Sequence, residues 1–246
     1  NQSYAWFGGG KGISAPTPSY YTSTTAYSTV DRLDYSSDTT NASPKGPLSG
    51  SRGYVSATGN ANYGYFGGGC APNVDNSLSS IDRVDYSNDT VTASPKGPLT
   101  ASIWGTAATG NQVFGYWSGG VGNQPVPFGY LPGSTPTGIW QLPAKTTVQR
   151  LDFSSDTATT LDKANLSTAV LLHSSSSAKD NAKVGTALLS ASTPKPIGHD
   201  TGYFSGGQGP RSTVDRIDYI NDTATALAKG PLNTARKNLG ATGNAN

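Results

Sequence analysis

Four arginines each stand two residues ahead of an aspartate: Arg32 and Asp34, Arg83 and Asp85, Arg150 and Asp152, Arg216 and Asp218. On an extended strand, positions i and i+2 share a face, so a guanidinium and a carboxylate at this spacing can pair. A second aspartate follows each pair, at Asp38, Asp89, Asp156 and Asp222, in tails such as YSSD and YSND. Ser, Asn and Asp there bond their own backbone and start a turn. One active centre does not need four copies of its groups, so the recurrence points to structural roles: staples between repeated units and Asx turns. A calcium cage would draw on the same oxygens, but no loop has the dense acidic spacing such cages use. Lys45, Lys96, Lys163 and Lys229 recur just before a later turn, and read as edge charges that discourage strand pairing.

Other reactive groups are few. Cys70 is the one cysteine; it has no disulfide partner and no zinc or iron–sulfur spacing, and reads as a small semi-buried residue. His173 and His199 are the two histidines, too few to propose a Ser–His–Asp triad or a transition-metal ligand set. Paired carboxylates for glycoside hydrolysis stay open, yet Glu is lacking and the aspartates that can be placed belong to the repeat. No metal, cofactor or catalytic residue is expected. The Asn-x-Ser/Thr triplets at Asn1, Asn41, Asn88, Asn165 and Asn221 follow from the turn wording rather than from glycan attachment.

These residues are carried by a repeat. The segments 30–48, 81–99, 148–166 and 214–232 are versions of one wording, and aromatic runs closing on a glycine doublet precede them at 4–10, 63–69, 114–120 and 202–207. The tag ATGN ends a further strand at 57–60, 108–111 and 241–244. A period of roughly 50 residues signals an array of one supersecondary unit. Each unit reads as four short antiparallel strands punctuated by Gly and Pro, in an all-β chain with 31 Gly and 16 Pro. The formal net charge of +2, without a Lys/Arg cluster, gives nucleic acid no footprint. The longest apolar candidate, 168–172, is strand-sized, far short of the ~20 residues that span a bilayer. Asn at position 1 and the lack of Met suggest a processed chain or a window of a longer one.

The pattern resembles the kelch repeat, which pairs an apolar run ending in Gly-Gly with a later aromatic–Asp turn. Gly67, Gly68 and Gly69 with Tyr86, and Gly206 and Gly207 with Tyr219, carry the match. The Trp that the family places six residues on is replaced by Asn41, Thr92, Thr159 and Thr225. The resemblance implies a β-propeller of four four-stranded blades, approximately 1–48 plus 235–246, 49–99, 100–166 and 167–234. The C-terminal strand would close the ring by joining the N-terminal blade. A longer array cut in phase accounts for the same termini. The wording also resembles tandem-repeat virion proteins of marine cyanobacterial phages.

Three insertions depart from the repeat, at 11–28, 121–145 and 178–200. The first two leave the same strand junction, which places Tyr20, Tyr21, Tyr27, Phe128, Tyr130 and Trp140 on one rim. Aromatic planes there suit sugar rings or protein anchors. The expectation is a non-enzymatic structural or adhesive propeller module of a virion appendage or extracellular fibre. Its partners would be other subunits, itself included, with cell-surface glycan as a further candidate. Nucleic acid and membrane insertion are not expected. The alternatives are a glycan- or receptor-binding head and, third, a secreted carbohydrate-active enzyme.

Overall fold

A computed structural model describes residues 3–13, 24–71, 76–123, 143–177, 201–236, 239 and 241. Each repeat folds into an antiparallel meander. The first sheet comprises β1 (Tyr4–Gly8), β4 (Val30–Asp34) and β5 (Ser43–Lys45), with a separate hairpin of β2 (Lys11–Ile13) and β3 (Thr24–Ala26) between. The second comprises β6 (Ser56–Gly59), β7 (Tyr63–Gly67), β8 (Ile81–Asp85) and β9 (Ser94–Lys96). In the third are β10 (Trp104–Gly110), β11 (Phe114–Val121), β12 (Thr147–Asp152) and β13 (Leu161–Asn165). The fourth holds β14 (Ser174–Ser177), β15 (Thr201–Ser205), β16 (Val214–Asp218) and β17 (Leu227–Ala228).

The register repeats with the sequence. The aromatic strand sets Trp6 opposite Arg32, Tyr65 opposite Arg83, Tyr116 opposite Arg150 and Tyr203 opposite Arg216. Strand β8 buries Ile81, Asp82 and Val84, residues from both its faces, because the sheets lie against one another and each middle sheet is covered on two sides. The chain leaves β7 through Gly68, at φ 68°. A Cβ there would fall 2.7 Å from the Ile103 carbonyl oxygen, so both the turn and the close approach need glycine.

Apolar residues fill each interface between successive sheets. Val30, Leu48, Phe66 and Val84 cluster between the first and second. Tyr65, Ile81, Leu99, Trp117 and Leu151 do so between the second and third, and Tyr116, Val148, Leu166, Phe204 and Ile217 between the third and fourth. Phe66, Trp117 and Phe204 occupy one repeat position and are buried, each pressing into the sheet before it.

Among the described residues the stack does not close. Five separate antiparallel sheets are formed among the described residues, and none joins its ends into a barrel or a ring. This corrects the expectation of a closed four-bladed propeller, and with it the kelch reading and the propeller-based structural or adhesive module built on it. Among the described residues the first sheet has three strands, in the order β1-β4-β5, without a fourth strand from the other end of the chain. Arg236 bridges Arg211, and its carbonyl accepts the Gly207 N–H at 3.0 Å, which ties Arg236 to the fourth sheet. The physical reason is locality. Alternation, glycine doublet and turn dictate one meander and its contact with the next, whereas closure depends on how sheet angles accumulate, which no motif residue specifies.

Candidate functional site

Each interface between successive sheets is locked by one carboxylate. The turn aspartate after the third strand of a sheet reaches back to the preceding sheet and gathers donors from three of its strands. Asp89 accepts Trp6 Nε1 at 2.8 Å and Arg32 at 3.0 Å, with Lys45 Nζ 4.0 Å away. Asp156 accepts the Tyr65 hydroxyl at 3.0 Å and Arg83 at 2.6 Å, with Lys96 at 3.5 Å. Asp222 accepts the Tyr116 hydroxyl at 3.0 Å and Arg150 at 2.7 Å, with Lys163 at 3.9 Å. All three carboxylates are buried, so charge-assisted bonds there are short and strong.

The same interfaces carry ring stacks. Tyr86 lies on Trp6 with centroids 3.9 Å apart, Phe153 on Tyr65 at 4.6 Å and Tyr219 on Tyr116 at 4.9 Å. Each clamp arginine also lies 4.3 Å over an aromatic of its own sheet: Tyr4, Tyr63 or Phe114. Burial, and then the neighbouring aspartate charge, pushes the Tyr65 and Tyr116 hydroxyls well above the usual tyrosine range, so both remain donors.

The arginine and the aspartate two residues on have separate partners. The arginine bonds the next sheet's turn aspartate, while Asp34, Asp85 and Asp152 accept the backbone N–H and hydroxyl of Ser36, Ser87 and Ser154. Asp218 accepts the Ile220 N–H at 3.0 Å. The serine bonds hold the Asp34 and Asp85 carboxyls below the ordinary aspartate value. Of the six aromatics assigned to the insertions, Tyr27 is described and 44% exposed. Tyr20, Tyr21, Phe128, Tyr130 and Trp140 lie outside the described residues, as does His199.

A second inter-sheet contact escaped the sequence reading. Ser49 donates its N–H and hydroxyl to Asp82, and Ser167 does the same to Asp215. Thr100 N–H donates to Gln149 Oε1 at 2.7 Å. Arg52, 1% exposed, adds bonds to Asp82 Oδ2 and to the Ser80 carbonyl, each at 3.0 Å. The signal lay in the residue before each repeat arginine, Asp31, Asp82, Gln149 or Asp215, whose face opposes that of the arginine.

Chemically, each of these carboxylates is engaged by an arginine and by an indole N–H or a tyrosine hydroxyl, has a lysine close by, and is enclosed between sheets. Among the described residues, no group of three or more His, Cys, Asp or Glu converges to hold a metal. Cys70 is buried, and burial pushes its thiol pKa up. No protein-family model matches this sequence, and no curated protein does.

His173 is the other buried ionisable group of note. Its Nε2 lies 2.9 Å from the Ser118 hydroxyl, its Nδ1 has no partner among the described residues, and burial lowers its pKa from 6.5 to about 4. The fold therefore holds it neutral, and the unfolded chain takes up a proton that the native state refuses. This contribution is complete above the unfolded value and is lost as pH falls from 6.5 toward about 4. Lowering the pH from about 7.5 to about 5 should cost about 2 kcal/mol more stability in the wild type than in His173→Gln. Urea unfolding of both proteins across that range checks this, and identical pH slopes would refute it.

Proposed function

We propose that this chain is a non-catalytic repeat scaffold, a stack of antiparallel sheets that works by offering its faces and loops to protein partners. The observation that carries this reading is the pair of hydrogen bonds and the neighbouring lysine that each of Asp89, Asp156 and Asp222 draws from the preceding sheet. A carboxylate engaged by donors from neighbouring strands of one sheet welds two sheets and has little capacity left for a substrate. Its repetition at successive interfaces suits an array whose stability is a sum of nearest-neighbour terms. An extracellular setting belongs to the proposal, supported by the low charged fraction of 13% and the single cysteine.

The reading is tested by hydrogen exchange on Arg150→Met. Exchange should rise in the third and fourth sheets, which share that clamp, and stay unchanged in β1, β4 and β5. If exchange stays the same while turnover of a glycoside or peptide substrate is lost, the clamp serves chemistry and the scaffold reading fails.

A further inference from the structure

The two ends of the stack carry opposite halves of the contact that joins its interior sheets. On the fourth sheet, Tyr203 and Arg216 face each other across β15 and β16 in the register of Tyr65 with Arg83, and Lys229 follows at the Lys96 position. Among the described residues no carboxylate reaches Arg216 or Lys229. On the first sheet, Asp38 occupies the position of Asp89, Asp156 and Asp222, yet it is exposed where they are buried.

Further positions agree. Phe7 matches the buried Phe66, Trp117 and Phe204 but is 58% exposed, and Tyr35 matches the stacked Tyr86, Phe153 and Tyr219 but is 51% exposed. On the opposite end, Gly230 matches Gly46 and Gly97. A Cβ on either of those would strike the turn of the following sheet, whereas at Gly230 none of the described residues comes within 4 Å of it. Asn233 and Arg236, both exposed, stand where Ser49 and Arg52 bind Asp82, and Asp31 of the first sheet is the equivalent acceptor.

We infer that the fourth sheet of one molecule docks on the first sheet of a second copy, reproducing the interior contact between chains. This deepens the scaffold reading and rests on it. Asp38 enters the Tyr203–Arg216–Lys229 set, Tyr35 stacks on Tyr203, and Asp31 receives Asn233 and Arg236. The faces are complementary in charge, with Asp31 and Asp38 against Arg216, Lys229 and Arg236, which favours encounter and fixes register. Because one patch meets a different patch, the contact is heterologous, and it builds a ring or a filament according to the rotation per copy.

Sedimentation of the 246-residue chain across a wide concentration range, with two charge reversals, tests this. The wild type should self-associate, and Asp38→Arg or Arg216→Asp alone should weaken that association about 100-fold by setting like charges together. An equimolar mixture of the two variants should associate at wild-type strength, since the intact Asp38 face of one meets the intact Arg216 face of the other. A wild type that stays monomeric throughout overturns the inference. So does association indifferent to both reversals, or an Asp38→Arg variant that destabilises the monomer, which would place the partner of Asp38 within its own chain. None of these outcomes touches the scaffold reading, whose own test is the exchange pattern of Arg150→Met.

Discussion

Asp156→Ala is expected to destabilise the protein by about 3 kcal/mol, whereas Asp38→Ala, at the same repeat position, should change stability by less than about 0.5 kcal/mol. Asp156 is buried between the second and third sheets and holds the Tyr65 hydroxyl, Arg83 and Lys96. Removing it leaves a buried hydroxyl and two cations without their acceptor, and breaking a buried pair costs more than the pair contributes because the remaining charge stays desolvated. The Arg83 side chain is 25% exposed, so water recovers part of its solvation and the estimate sits at the low end of the usual range. Asp38 is exposed, and its loss leaves nothing stranded. Urea unfolding followed by tryptophan fluorescence, in protein dilute enough to keep copies apart, checks both. Equal effects at the two positions would mean that the Tyr65, Arg83 and Lys96 contacts of Asp156 do not hold the sheets together.

The units of this fold are legible in the sequence because their causes are local. Alternation in 81–85, the glycine doublet at Gly68 and Gly69, and the Asp–Ser turn at Asp85 and Ser87 each act within a few residues, and the second sheet forms where they direct it. The partner of Arg83 was not legible. Spacing puts Asp85 on its face, but Ser87 captures that carboxylate as a turn cap, and the guanidinium crosses to Asp156, 73 residues away. Nothing near Arg83 in sequence encodes that choice; it follows from the stacking of whole sheets. Ring closure is a larger case of the same problem. Four copies of every strand satisfy a count, but a count does not set the angle between sheets, and Arg236 bonds Gly207 and Arg211 on its own sheet. The aromatic insertions drew attention by departing from the repeat, yet the unpaired surfaces at the ends are built from consensus residues. Asp38 and Arg216 look like every other copy until their neighbours are known.

Gly97→Ala is expected to cost about 2–3 kcal/mol, and Gly230→Ala nothing or a slight gain. Both glycines follow the repeat lysine. At Gly97 the chain runs so close to the third sheet that a Cβ would fall 1.8 Å from the Ala158 carbonyl oxygen and 2.7 Å from the Thr157 carbonyl carbon. The Gly97 N–H also donates to the Asp156 carbonyl at 2.8 Å, so the carbonyl group that would have to move belongs to the clamp turn itself. Backbone does not yield as a side-chain tip does, and the interface must open. The third sheet shows the form that relief takes. Ala164 stands at the equivalent position, β12 and β13 shift register between Thr147 and Gln149, and among the described residues no such bond joins the Ala164 N–H to Asp222. An alanine at 97 thus exchanges a regular edge and a buried hydrogen bond for a bulge, which sets the estimate at a few kcal/mol rather than outright unfolding. At Gly230 none of the described residues lies within 4 Å of an added Cβ, and alanine there mainly restricts the unfolded chain. Unfolding curves for both variants decide the matter, and a Gly97→Ala protein as stable as the wild type would mean that the second and third sheets do not approach this closely.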